Sequence, residues 1–373
     1  MSKPDPIAQL QVEVAQLQSA FEDLNKQCSP SNAHNAILRC ATCVPQPLNN
    51  CTDKATNPQQ PHFIPDFNIP LIAAGGGDQK CDILEKLGPL ASLIGTWVST
   101  RYGGFNVMPI PQDNAPNGFI LKNISYYEVM TFSAIQGKVA NRAGNYEQDA
   151  YTIFYSQRVF FADGPQKDEL VHAENGSWLH QVTAPQGQGT LNIAPWVPDT
   201  PDPLPQQEQN RTIVKQVSVP HGNSILAIGH HDSFGGAPSI PVANALPTAG
   251  GNSFKVPYGV DIPENPNVNP NIVLQVALDS LYQQGIEVVE TTVLDVDTET
   301  DGNIANTPFM KAHADVPRFK TTLWLERLSN GLDMLQYTQD ITLDFSLING
   351  KDPGKRTRYK FPHITANTLF KVQ

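Results

Sequence analysis

The side chains best suited to hold a metal or move a proton are nine histidines and five cysteines, and they are unevenly placed. Cys28, Cys40, Cys43, Cys51 and Cys81 all fall in the first quarter, and the chain beyond Cys81 has none. Cys40 and Cys43 have the spacing of half a zinc site, to be completed by Cys28, Cys51 or His34. No second Cys-x-x-Cys or His-x-x-x-His follows, so disulfides and free thiols stand beside zinc as readings. Among the histidines, His363 follows Pro362 close to the C-terminus, in Phe361-Pro362-His363-Ile364-Thr365-Ala366. A neutral imidazole there is a metal donor if it faces inward, and an ordinary rim histidine if it does not. His221 lies in Val219-Pro220-His221-Gly222-Asn223-Ser224, a tight-turn sequence whose Gly-Asn step favours left-handed backbone. His230 and His231 are adjacent, so on a strand they point to opposite faces, and the surface is the expectation for them.

Common catalytic signatures are missing. There is no Gly-x-Ser-x-Gly elbow, no Gly-x-Gly-x-x-Gly after a strand and no His-Glu-x-x-His. Gly75-Gly76-Gly77 is followed by no Gly-Lys-Ser/Thr, so it is not a phosphate loop. A nucleophilic cysteine is excluded beyond Cys81. Together these absences lead away from hydrolases and dehydrogenases and leave enzymatic activity open.

The formal net charge is −11, and only 16% of residues are charged. A duplex or an anionic membrane surface needs a basic face, and the densest run, Lys351 to Lys360, is short. Neither nucleic acid nor membrane is therefore expected as a partner. The polar start and the lack of any long apolar window point to a cytoplasmic protein.

The elements that must position these residues fall into three parts. In residues 1–28, Ile7, Leu10, Val14, Leu17, Phe21, Leu24 and Cys28 recur in alternating steps of three and four, over about three heptads. So narrow an apolar seam requires a partner helix, and homo-oligomerisation through residues 7–28 is the expectation over docking on the chain's own body. Residues 29–82 are rich in Pro, Asn, Gln and Cys without periodicity, and read as a linker or arm. From residue 83 to residue 373 the pattern is strand-like. Leu335, Tyr337, Gln339, Ile341, Leu343 and Phe345 alternate strictly with Gln336, Thr338, Asp340, Thr342 and Asp344, which buries one face and wets the other. Similar runs occur at 119–132, 151–161, 212–219, 224–230, 286–296 and 321–328. A helix is expected at 272–284, capped by Asn269-Pro270-Asn271, and Pro-rich inserts at 185–209 and 235–270 separate strands. The sum is an all-β antiparallel barrel with long Pro-rich loops and an N-terminal helix. On the same alternation, Glu326 and Arg327 beside Trp324 are expected to form an ion pair on the wet side of a strand.

Two stretches carry a more specific signal. Leu93-Ile94-Gly95-Thr96-Trp97 opens the strand-rich region after a helix-like stretch from Ile83 to Leu93, and Gly-x-Trp at a first strand resembles the lipocalin-like, or calycin, signature. With it, in order, come Gly104-Phe105-Asn106-Val107-Met108-Pro109, Val219-Pro220-His221-Gly222-Asn223-Ser224, Leu323-Trp324-Leu325-Glu326-Arg327, Leu335-Gln336-Tyr337-Thr338-Gln339 and the closing Pro362-His363-Ile364-Thr365. Over roughly residues 84–373 this series resembles a bacterial family of haem-binding β-barrels, longer relatives of the nitrobindin type. The resemblance implies a calycin-type barrel closed at one end by Trp97, with Arg356 or Arg358 covering the indole. It also implies haem b as cofactor, with His363 as the iron ligand and His221 as its rival or a distal group, and NO-related or peroxidase-like chemistry. The same barrel also suits a metal-free carrier of a fatty or aromatic molecule, and the seam of residues 7–28 suits an oligomeric assembly protein.

Overall fold

The computed structural model describes residues 83–143, 146–183, 212–247, 257–259, 262–349 and 352–372. The coiled-coil seam of residues 7–28, which includes Cys28, the arm at 29–82 with the other four cysteines, and the Pro-rich insert at 185–209 lie outside the described residues.

Ten long strands close into one antiparallel barrel. In chain order its walls are β1 (Gly95–Val107), β4 (Ile124–Ala143), β5 (Tyr146–Phe161), β6 (Leu170–Thr183), β7 (Ile213–Val219), β8 (Asn223–Gly235), β9 (Val288–Asn306), β10 (Ala314–Leu328), β11 (Asp333–Asn349) and β12 (Asp352–Val372). Each strand pairs with the next wall in sequence, and β12 returns to β1 through pairs from Thr96↔Val372 to Val107↔Ile364. A closed up-and-down barrel leaves no sheet edge to be protected. A short hairpin, β2 (Pro109–Pro111) with β3 (Phe119–Leu121), is inserted between β1 and β4.

Period-two alternation decides what the lumen contains. Trp97 on β1, Phe132 on β4, Trp178 on β6, Leu294 on β9, Leu323 on β10, Leu335 on β11 and Leu369 on β12 belong to one buried cluster. Its lower end is closed by a 3₁₀ turn at Gly88–Leu93, whose Leu90 and Leu93 are fully buried beneath the barrel. Trp97 is 1% exposed there, and its indole N–H donates to the Leu93 carbonyl over 2.7 Å. Closure at Trp97 is thus as expected, but the cationic cover differs. Lys371, from the end of β12, holds its Nζ 5.2 Å from the centre of the Trp97 ring and donates to the Ser92 carbonyl. Arg356 instead bonds Ser346 and Asp113, and Arg358 bonds Asp344 and the Lys311 carbonyl, because both stand at the opposite end of β12.

β1 is irregular between Ser99 and Gly104, where its register shifts against both β12 and β4. Gly104 closes that irregularity under the ring of Tyr126: a Cβ at this position would stand 2.4 Å from the phenol carbon.

The residues directly after β8, Gly236 to Leu246, climb the outer wall, where Ile240 packs, and α1 (Ile272–Gln283) stands at the expected place. Asn271 precedes α1 without a side-chain cap; its amide donates to the Pro241 carbonyl, and its carbonyl oxygen accepts from Thr338. Leu274 of α1 packs on Trp324 and Ala366, and Leu278 and Leu281 pack on Leu328 and Met334, so the even-numbered face of β10 and β11 is buried from outside. The expected ion pair of Glu326 with Arg327 fails for this reason. Neighbours on a strand face opposite ways, and Glu326 lies under this cover at 2% exposure while Arg327 bonds Asp333 outside it. A second short helix, α2 (Pro308–His313), joins β9 to β10 at the upper end. Among the described residues no helix is long and apolar enough to cross a membrane.

Candidate functional site

The upper end, opposite the Trp97 plug, collects the histidines of interest. His363 follows Pro362 within β12, one residue above the last pair that β12 makes with β1. Because only one neighbour is paired there, a proline can precede it in a long strand. His363 shares the inward face with Asn367 and Leu369. Its Nδ1 lies 3.0 Å from the Val107 carbonyl oxygen, the end of β1. A carbonyl only accepts, so Nδ1 carries the proton and Nε2 keeps its lone pair. Burial pushes the imidazole down to about 4, the Val107 bond pulls upward, and the nearby His172 and His221 rings push down further. The ring is therefore neutral at physiological pH.

His221 stands on the turn between β7 and β8, where Gly222 adopts φ +115° and packs against Thr307. Its ring is exposed at the rim, and its Nε2 is 3.4 Å from Nδ1 of His172 on β6. Burial, then the His172 ring, lowers its pKa. The structure thus brings His363 and His221 to the same mouth and adds His172. His230 and His231 lie exposed at the other end, where the His231 ring meets His180 edge-on, as expected of surface histidines.

Below the mouth, charged and polar side chains are set among the apolar residues of the lumen. His172 Nε2 is 3.4 Å from a Glu174 oxygen. Glu174 accepts from Tyr155 at 3.0 Å and from Lys215 at 3.3 Å, and Lys215 donates to Gln339 at 3.1 Å. Lys215 is 3% exposed, with Tyr155, Trp178 and Phe319 rings at 5.3, 5.5 and 5.0 Å from its Nζ. Burial alone would raise Glu174, but the Lys215 charge, followed by His172 and the Tyr155 bond, holds it well below the usual carboxylate range. Burial lowers the Lys215 ammonium, and Glu174 works against that. A second group surrounds Glu128, which accepts from Gln157, Asn367 and Tyr337, while Tyr337 contacts Tyr126 at 3.0 Å. Burial raises Glu128 to about 7 against these three bonds, and the Glu174 charge adds to the rise.

Between the two groups is a cavity of about 10 Å³, lined by Gln157, Lys215, Tyr337, Gln339 and Trp178 among others. That is room for about one water. The donor at the mouth therefore suits haem iron: a neutral imidazole whose other nitrogen is fixed by a backbone carbonyl is oriented and made more basic. The lumen does not suit a porphyrin, since pockets for such ligands measure several hundred ångströms cubed. Among the described residues no group of three or more His, Cys, Asp or Glu side chains is arranged to hold a metal ion, so iron at His363 would rely on the porphyrin for its other ligands.

Sequence reasoning passed over His172, Glu174, Lys215 and Glu128. Glu128 and Lys215 left a signal, since each stands on the apolar face of an alternating strand, whereas His172 and Glu174 share their face of β6 with Gly176 and His180 and left none. Glu128 interrupts Tyr126, Met130 and Phe132, and Lys215 interrupts Ile213, Val217 and Val219. A charge on such a face requires a partner across the lumen.

No family model, no curated protein and no solved structure matches this chain.

Proposed function

We propose that this barrel binds haem b at its upper mouth, with His363 as the axial ligand and His221, with His172, as polar groups beside it. The supporting observation is the bond from His363 Nδ1 to the Val107 carbonyl. It fixes the tautomer an axial ligand needs, on a ring that burial keeps neutral. When bound, haem iron supplies a site for a diatomic gas or a peroxide. The chain's own share is to hold the imidazole and to place His172 and His221 as exchangeable donors at the same end. The filled lumen confines the cofactor to the mouth and keeps it away from Glu128 and Lys215. Trp97 under its 3₁₀ plug with Lys371 over the ring supports the calycin kinship within this proposal. A fatty carrier needs an open lumen, and the interlocked apolar and polar side chains leave a cavity of only about 10 Å³.

Titrating the full chain with hemin tests the reading. A Soret band should grow and saturate near equimolar haem. It should be lost on acidification only below about pH 4, where a proton competes with iron for His363. Absence of any Soret band on titration overturns the proposal.

A further inference from the structure

Glu326 lies outside both polar networks. It is on the outer face of β10, paired across β9 with Thr291 and across β11 with Met334, and is 2% exposed. Neither carboxyl oxygen has a hydrogen-bond partner. Along its own strand it stands between Trp324 and Leu328, the anchors of the two apolar clusters that seat α1. Ile240, from the segment that climbs the wall, packs against both clusters and so spans the position.

Among the described residues, no group facing Glu326 is able to neutralise it. The climbing segment from Gly236 to Leu246 has no titratable residue. On α1, Asp279 is exposed and bonded to Gln275, and Tyr282 is 71% exposed. The Thr291 hydroxyl is committed to the Gly236 carbonyl. Arg327 and Asp333 pair with each other on the opposite face. A cation would need several oxygen ligands, and the surroundings are Leu, Ile, Met and Trp. An ionised carboxylate left alone in such a place is far more costly than a neutral acid.

We propose that Glu326 is a proton-operated latch: α1 and the segment over it dock on the barrel wall with Glu326 protonated, and ionisation of Glu326 releases them. The direction follows from linkage. Burial raises the carboxyl well above its ordinary range when covered. The docked state therefore holds the proton more tightly, and docking weakens as pH rises from the ordinary carboxylate range toward the covered value. One proton changes the docking equilibrium by at most about tenfold per pH unit.

Amide hydrogen exchange on the full chain, corrected for intrinsic rates, tests this from about pH 5 to about pH 9. Protection in α1 should fall with rising pH in the wild type, while β4 and β5 hold theirs. In Glu326→Gln the fall should vanish, and Glu326→Met, apolar and of similar length, should behave the same way if Gln disturbs folding. Flat α1 protection in the wild type overturns the latch, as does an equal fall in both variants. Protection at high pH restored by added potassium or calcium also overturns it, because a cation and not a proton would then neutralise the carboxyl.

Discussion

At the residue scale, His363 was legible because its motif and place were distinctive, whereas the groups that fill the lumen were not. An alternating strand predicts which face is buried, but it does not say which buried polar groups meet across a barrel. Glu174 and Lys215 stand on adjacent strands, as do Tyr337 and Asn367, which are register partners, yet Glu128 meets that pair only on closure. Their burial has a measurable consequence. Glu128 is raised from 4.5 to about 7, so the folded state holds its proton more tightly than the unfolded chain does. It contributes stability at low pH that is lost as pH rises from the ordinary value through about 7, amounting to about 3 kcal/mol. His363 works in the opposite sense, losing stability as pH falls from 6.5 through about 4, so the two nearly cancel in the wild type. The difference between wild type and Glu128→Gln isolates the carboxyl. In urea unfolding at a series of pH values, the wild-type advantage should shrink by about 3 kcal/mol between about pH 4.5 and about pH 7. An advantage that is constant with pH would refute this.

At the element scale, period revealed the α1 helix and strands such as β5, β7, β8, β10 and β11, but it did not announce β6 or β12, and it did not give lengths. β4 and β9 run past the apolar segments that announce them, because backbone pairing continues beyond those segments. The irregularity in β1 left no hydrophobic signal either; it is defined by Gly104 and the Tyr126 ring above it. Gly104→Ala sets a methyl 2.4 Å from that ring. Overpacking of this kind costs about 1–3 kcal/mol and should displace Tyr126 from Tyr337. Urea denaturation of the variant should show that loss, and a change below about 0.5 kcal/mol would mean the strand yields without strain. Glu326 belongs at this scale too. Its neighbour Arg327 suggested a surface pair, but adjacent strand residues face opposite ways, and the return of α1 over the wall buries Glu326 alone.

At the scale of the whole molecule, one end of the barrel is sealed and the other gathers three histidines. The 3₁₀ turn, Trp97 and Lys371 close the lower end, and His363, His221 and His172 gather at the upper one. The closed barrel was legible from many strands in sequence with one plug motif at their start. The filled lumen was not, because volume depends on how inward side chains interlock. The proposed haem site at the upper mouth rests on His363. Its most direct test is the Soret spectrum of the full chain reconstituted with hemin, comparing wild type with His363→Ala and His221→Ala, with far-UV circular dichroism as the check on folding. The prediction is a Soret band in the wild type, the same band position in His221→Ala, and a lost or strongly blueshifted band in a folded His363→Ala. An unchanged Soret band in His363→Ala would contradict it.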